Sequence, residues 1–468
     1  MSPFRIESDL LGEKSLPINA YYGVQTQRAI ENFKISNYTL SQEPEFIKAL
    51  AIVKWGAGQA NYELGKLDKK IYQGIAFACQ EIIDGKYHDQ FPIDLFQGGA
   101  GTSTNMNANE VIANIALEYM GYQKGEYQYC SPNDHVNLAQ STNDAYPSAL
   151  KLALYQKNKV LVEALEKIYF ALDRKAKEFE DVIKMGRTQL QDAVPMTLGQ
   201  EFGGFAHTLK KEIGQLISAS HQFLELNMGA TAIGTGLNAV PGYAPLCIEK
   251  IGLILQEPVK LAEDLVEATS DTSAFVTYSS ALKRLAIKLS KICNDLRLLT
   301  SGPRTGFFEI NLPPKQPGSS IMPGKVNPVI PEVVNQICFK VIGNDTTISF
   351  AAEAGQLQLN VMEPIIAVSL FESINYLTNG IQTLRKECIE DITANREHLK
   401  AEVENSIGIV TALNPHIGYK NATKIAKEAL ETGESVYQLV LKHQFLTKEQ
   451  LDEILNPKNM LGPQNRDL

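Results

Sequence analysis

The sequence predicts an all-α protein with a long helical bundle at its centre, and three observations carry that. Apolar residues recur at Leu282, Leu285, Leu289, Ile292, Leu296 and Leu299, spacings of three and four that draw one stripe down an amphipathic helix. From Val333 to Met362 the only charges are Lys340, Asp345 and Glu353. A helix so weakly charged all round is buried on every side. Few segments alternate with the two-residue period of a strand.

Taken in order, the first 40 or so residues read as irregular or briefly extended, with Tyr21-Tyr22-Gly23 among several polar turns. Gly98-Gly-Ala-Gly-Thr-Ser-Thr-Asn-Met-Asn107 reads as a glycine turn entering a helix, with Thr102 or Ser103 as its cap. The free N–H groups and hydroxyls there also suit an anion. Gln140-Ser-Thr-Asn-Asp-Ala-Tyr-Pro147 reads as a second helix start, with Asp144 in the first turn, where the helix dipole favours it. Leu161, Leu165, Ile168, Leu172, Ala176 and Phe179 form another packing stripe. Gly186-Arg-Thr-Gln-Leu-Gln-Asp-Ala-Val-Pro195 reads as a polar kink between two helices.

Gly318-Ser-Ser-Ile-Met-Pro-Gly-Lys-Val-Asn-Pro328 is too polar and too constrained for an ordinary linker. Its prolines fix φ and remove donors, and its glycines permit sharp bends. Lys325 meets a carboxylate as a point charge, Asn327 adds two donors, and Ser319 and Ser320 add hydroxyls. The stretch from Pro331 to Pro364 reads as one helix of about 32 residues, roughly 48 Å long, or as two helices broken near Gly343. A single bundle offers it too few neighbours, so it is expected to pack against other copies of the chain. Near the end, Thr447 with Gln450 three residues later marks a capped short helix. Soft boundaries near 140 and 395 divide the chain into an N-terminal part (1–140), a central bundle (141–395) and a small helical C-terminal part (396–468).

A chain of 468 residues exceeds one core, which stops growing near about 250–300 residues. With 44% hydrophobic and 21% charged residues it reads as globular and cytoplasmic. Its opening lacks the apolar core of a signal peptide, and no apolar run approaches a membrane span. Six dispersed cysteines with no C-x-x-C pair indicate neither a disulfide framework nor a zinc site. No metal-ligand set and no cofactor motif is read. The net charge of −9, without a basic tract, argues against nucleic acid. Such a chain must hold an anionic ligand by local cations and hydrogen-bond donors.

The clusters at 98–107, 140–147, 186–195 and 318–328 resemble, in order and rough spacing, those of the fumarase/aspartase superfamily. The likeness extends to Tyr21-Tyr-Gly-Val-Gln-Thr and Thr411-Ala-Leu-Asn-Pro-His-Ile-Gly-Tyr. It implies an all-α, three-domain fold and a homotetramer built on a twenty-helix core, with each active site drawn from three subunits. Ser141-Thr142-Asn143-Asp144 stands where fumarases have Ser-Ser-Asn-Asp, and Gln189 where they have His. Together with Gly355-Gln-Leu-Gln-Leu-Asn-Val-Met-Glu-Pro364, this resembles the branch that converts L-aspartate to fumarate and ammonium.

The resemblance makes Ser319 the base. It makes Thr102, Ser141, Thr142 and Ser320 the donors that stabilise charge gathering on the β-carboxylate. Lys325, Asn327 and Thr188 would hold the α-carboxylate, Asn143 and Thr102 would contact the amine, and Gln189 would lie near it. Glu332, at a helix start, is assigned to the helix dipole rather than to Lys325. His135, which aligns with a secondary anion site of fumarases, is assigned a structural role. The nearest alternative is fumarase itself, with water departing. A more remote one is a non-enzymatic structural protein on the same scaffold.

Overall fold

A computed structural model describes residues 3–460, so Met1, Ser2 and the last eight residues of the expected C-terminal part lie outside the described residues. The described residues form seventeen α-helices and four two-stranded sheets. A hairpin opens the chain, β1 (Phe4–Asp9) against β2 (Gly12–Pro17). Helices α1 (Val24–Asn32), α2 (Pro44–Glu63), α3 (Lys69–Ile83), α4 (Thr102–Tyr119) and α5 (Thr142–Glu178) follow. A second hairpin, β3 (Ile183–Thr188) and β4 (Gln191–Thr197), separates α5 from α6 (Leu198–Ser220). Then come α7 (Tyr243–Leu255), α8 (Leu265–Ser270), α9 (Ser273–Leu299), α10 (Val329–Glu353) and α11 (Glu363–Glu387). Short helices finish the chain, among them α12 (Arg396–Asn405), α13 (Val410–Ile417), α14 (Tyr419–Thr432), α15 (Val436–Lys442) and α16 (Lys448–Ile454).

The predicted stripes are packing surfaces. Leu282, Leu285, Leu289, Ile292, Leu296 and Leu299 are all buried, as are Leu161, Leu165, Ile168, Leu172 and Phe179. All six cysteines are free and buried. Thr447 and Gln450 form the predicted capping box at α16.

Two expectations are corrected. The stretch from Pro331 to Pro364 is two helices, but the break falls at 354–362 rather than near Gly343, which lies inside α10. Asn360 closes this break: its Nδ2 donates to the carbonyls of Ala351 and Ala352 at the end of α10, and its Oδ1 accepts from the Met362 N–H. Phe339 and Phe350 of α10 are exposed within one copy, where the expectation places burial against other copies of the chain. The polar kink expected at 186–195 is instead the β3–β4 hairpin.

The chain divides into two compact units, with each of α5, α6, α9, α10 and α11 passing from one to the other. The first comprises residues 1–163, 213–286 and 339–378, and packs α2 against α3 and α7. Here α1 has no side-chain cap of its own. Glu110, buried in α4, caps it from a distance by accepting the N–H groups of Gly23, Gln25 and Thr26. The second unit comprises residues 164–212, 287–338 and 379–468. Its core joins Ile183 and Met185 of β3 to Val403, Leu413, Ile425 and Leu439 of the C-terminal helices. No helix among the described residues is long and apolar enough to cross a membrane.

Candidate active site

In the first unit, a cavity of about 630 Å³ opens at the start of α5, and Ser141 and Thr142 line it with Asn105 and Gln140. Asp144 organises this corner. Its Oδ1 accepts the Ser141 N–H at 2.9 Å, while Oδ2 accepts those of Thr231 at 2.9 Å and Gly229 at 3.2 Å. Burial pushes the Asp144 carboxyl up to about 6, against the pull of those donors. Asp144 does sit in the first turn, as predicted, but it also pins a second chain segment. Asn143 donates its Nδ2 to the Ala232 carbonyl at 2.7 Å, which leaves its Oδ1 as the remaining acceptor.

Behind the cavity lies a residue the sequence did not disclose. Lys54, on α2, is fully buried and donates to Asn105 Oδ1 at 2.6 Å, Gln140 Oε1 at 2.8 Å and Asn137 Oδ1 at 3.0 Å. Burial lowers its pKa to about 7. Only the absence of an obvious partner on α2 could have hinted at this role. The partners come from two distant segments, the start of α4 and the loop before α5.

Thr102 does not line this cavity. Its hydroxyl donates to the Gly99 carbonyl at 2.8 Å. The cap of α4 is Gly101, not Thr102 or Ser103. Gly101 has φ +88°, and a Cβ there would stand 2.3 Å from the Tyr146 ring, so glycine alone lets this loop close onto α5. His135 accepts the Ser131 N–H at 2.8 Å through Nδ1, the structural role assigned to it.

The second unit holds the other candidates in two places. Thr188 and Gln189 stand at the exposed tip of the β3–β4 hairpin. Gln189 (φ +56°) and Leu190 (φ +64°) both occupy the left-handed region, the signature of a type I′ turn. That turn normally carries Asn-Gly, so Gln-Leu concealed it. Below the tip, β3 is held by buried charge. Lys184 pairs with Glu201 at 2.6 Å and Glu309 at 2.5 Å, and Arg187 pairs with Glu309 and with Glu402 at 3.6 Å. On the other strand, Ser406 donates to Asp192 at 2.8 Å.

The loop 318–328 folds on itself. Gly318 N–H donates to the Lys325 carbonyl at 2.7 Å, and Asn327 Nδ2 to the Gly318 carbonyl at 2.8 Å. A Cβ at Gly318 would meet the Lys325 carbonyl at 2.6 Å. Within this frame Ser319 Oγ accepts two backbone N–H groups, from Met322 at 3.0 Å and Ile321 at 3.2 Å. Both bonds favour negative charge on that oxygen. Ser319 and Lys325 line one groove, and Ser320 is exposed beside them. Glu332 lies in the first turn of α10, the dipole position assigned to it. Among the described residues no group of three or more His, Cys, Asp or Glu is placed to hold a metal ion.

Residues 12–343 match the family model described as lyase, and residues 409–462 the one described as fumarase C C-terminus. Aspartate ammonia-lyase of Helicobacter pylori is 59% identical over 459 residues, 98% of each chain. Aspartate ammonia-lyase of Escherichia coli K12 is 57% identical, over 98% of this chain and 96% of its own. Among solved structures, the Brucella melitensis protein described as fumarate lyase:delta crystallin bound to cobalt superposes with a TM-score of 0.96. It is 51% identical over 98% of this chain and 100% of that one. A class II fumarase from Schistosoma mansoni superposes at 0.92 with 34% identity, over 99% and 100% of the two chains.

Proposed function

The chain belongs to the fumarase/aspartase family of lyases, and we propose that it works by anti-elimination with Ser319 as the base. It is a carbon–nitrogen lyase: it removes ammonium from L-aspartate to leave fumarate, reversibly. Identity of 57–59% with aspartate ammonia-lyases, over nearly the whole chain, favours this over the hydratase alternative.

The observation that supports Ser319 is the pair of backbone N–H groups directed at its Oγ. An ordinary serine hydroxyl is far too weak an acid to act as an alkoxide at neutral pH. Donors already in place lower that cost, and a nearby lysine charge would lower it further. In this reading the C3–H proton passes to Ser319 Oγ, and its electron pair moves onto the β-carboxylate as an enediolate. The C–N bond then breaks, and the departing ammonia leaves with that proton as ammonium. In this reading Ser141, Thr142, Ser320 and Thr102, the last by turning its hydroxyl from the Gly99 carbonyl, donate to the charged intermediate and speed the hard step because they bind it better than the substrate. Lys325, Thr188 and Asn327 hold the α-carboxylate. Asn143 meets the ammonium through Oδ1, the atom its bond to Ala232 leaves available, and Gln189 lies nearby.

The same reading includes a three-part organisation (1–140, 141–395, 396–468) and a cytoplasmic homotetramer whose copies complete one another's sites. The exposed Phe339 and Phe350 of α10 are consistent with burial against other copies. The test is absorbance of the fumarate double bond with purified protein given L-aspartate or L-malate. Fumarate from aspartate is expected. Fumarate from malate alone would replace this reading with fumarase.

A further inference from the structure

We propose that Thr231 is a further substrate-binding residue, whose hydroxyl donates to the β-carboxylate beside Ser141 and Thr142. The inference rests on the reading of this cavity as the aspartate site.

Thr231 lines the same cavity as Ser141 and Thr142 and is 5% exposed. Its Oγ1 is buried without a hydrogen-bond partner. A buried hydroxyl left unpaired is costly, and native proteins keep few of them without a reason. The backbone is also held against its preference. Thr231 has φ +57°, in the left-handed region, where a β-branched side chain is a genuine outlier. Ala139 (φ +59°) and Asn238 (φ +73°) line the same cavity in the same region. Strain of this kind persists only where surrounding structure imposes it, and it gathers at ligand sites.

What imposes it is visible. Asp144 accepts the Thr231 N–H through one oxygen and the Ser141 N–H through the other. Asn143 holds the next residue by its carbonyl. One buried carboxylate thus fixes two segments 90 positions apart in sequence, so that Thr231 and the Ser141–Thr142 pair line one cavity. A hydroxyl without a protein partner, in the cavity already assigned to a carboxylate, is a donor awaiting that carboxylate. Since charge grows on this group during proton removal, the bond strengthens toward the transition state.

The test compares Thr231→Val, which keeps the branched shape but loses the hydroxyl, with Thr231→Ser, which keeps the hydroxyl. Turnover of L-aspartate, binding of succinate by calorimetry and thermal midpoint are measured for each. Thr231→Val is expected to lower kcat/KM about 10- to 100-fold, mostly in kcat, and to weaken succinate, at an unchanged midpoint. Thr231→Ser is expected to stay within about threefold of wild type. A Val variant within threefold of wild type overturns the proposal while leaving aspartate turnover intact. If wild type itself fails to turn over aspartate, the reading of the site fails, and succinate decides Thr231 separately: unchanged affinity in the Val variant overturns it. Should Thr231→Val not fold, Thr231→Ala deletes the same hydroxyl and is judged by the same outcomes.

Discussion

Lys54 donates a 2.8 Å hydrogen bond to the side-chain carbonyl of Gln140, the residue that immediately precedes Ser141. The ammonium is buried in α2 and meets only neutral amide oxygens. It therefore holds the start of α5 in place without adding a fixed anion near an anionic ligand.

That burial makes stability depend on pH. The folded Lys54 has its pKa lowered to about 7, while the unfolded chain keeps the ordinary lysine value near about 10.4. Between those values the unfolded state binds more protons, so stability rises with pH across the window. Below pH 7 the lysine is charged in both states and the burial cost is complete. The urea midpoint of wild type relative to Lys54→Met should therefore increase from pH 7 to pH 9, by up to about 2 kcal/mol. A constant difference would mean that the three amide oxygens keep the ammonium charged throughout.

Ser319→Ala removes the oxygen to which Met322 and Ile321 donate. Turnover of aspartate should fall about 10²- to 10⁴-fold, the usual worth of a positioned base. Fumarate affinity should change little, because the carboxylate-binding groups remain. Single-turnover rates and equilibrium fumarate binding check both halves. A variant that keeps wild-type turnover would take serine out of the mechanism.

Glu309 has no exposed surface and pairs with both Lys184 and Arg187, on the strand that ends at Thr188. Glu309→Gln leaves two cations facing a neutral amide. Breaking one side of a buried pair costs about 3–5 kcal/mol, which denaturation by urea would register. KM for aspartate should rise as well, since the hairpin tip loses its support. A loss under about 1 kcal/mol would show that Glu201 and Glu402 hold the hairpin by themselves.

Much of the fold was legible locally. The stripe from Leu282 to Leu299 is one buried face of α9 because helical periodicity survives in any surroundings. The Thr447–Gln450 box depends on four residues and forms as written. The crowding of glycines, hydroxyls and Asn327 at 318–328 marked a constrained loop, and the loop does close on itself through the Gly318–Lys325 and Asn327–Gly318 bonds.

Other features had no local signal. The β3–β4 hairpin turns on Gln189-Leu190, without the glycine that normally announces a type I′ turn, and its stability comes from Glu201, Glu309 and Glu402 elsewhere in the chain. The break after α10 follows from Asn360 reaching back to the carbonyls of Ala351 and Ala352, a bond that periodicity does not encode.

The sequence by itself determined the packing stripes of α5 and α9 and the capped start of α16, because those properties are set within a few turns of chain. Only the tertiary structure decided that Lys54 supports Gln140, that Asp144 joins Ser141 to Thr231, and that a threonine in strained backbone faces the candidate ligand cavity. The physical reason is that each of these rests on a buried polar group meeting partners from remote segments, and which remote segments meet is fixed by packing, not by the residues beside it.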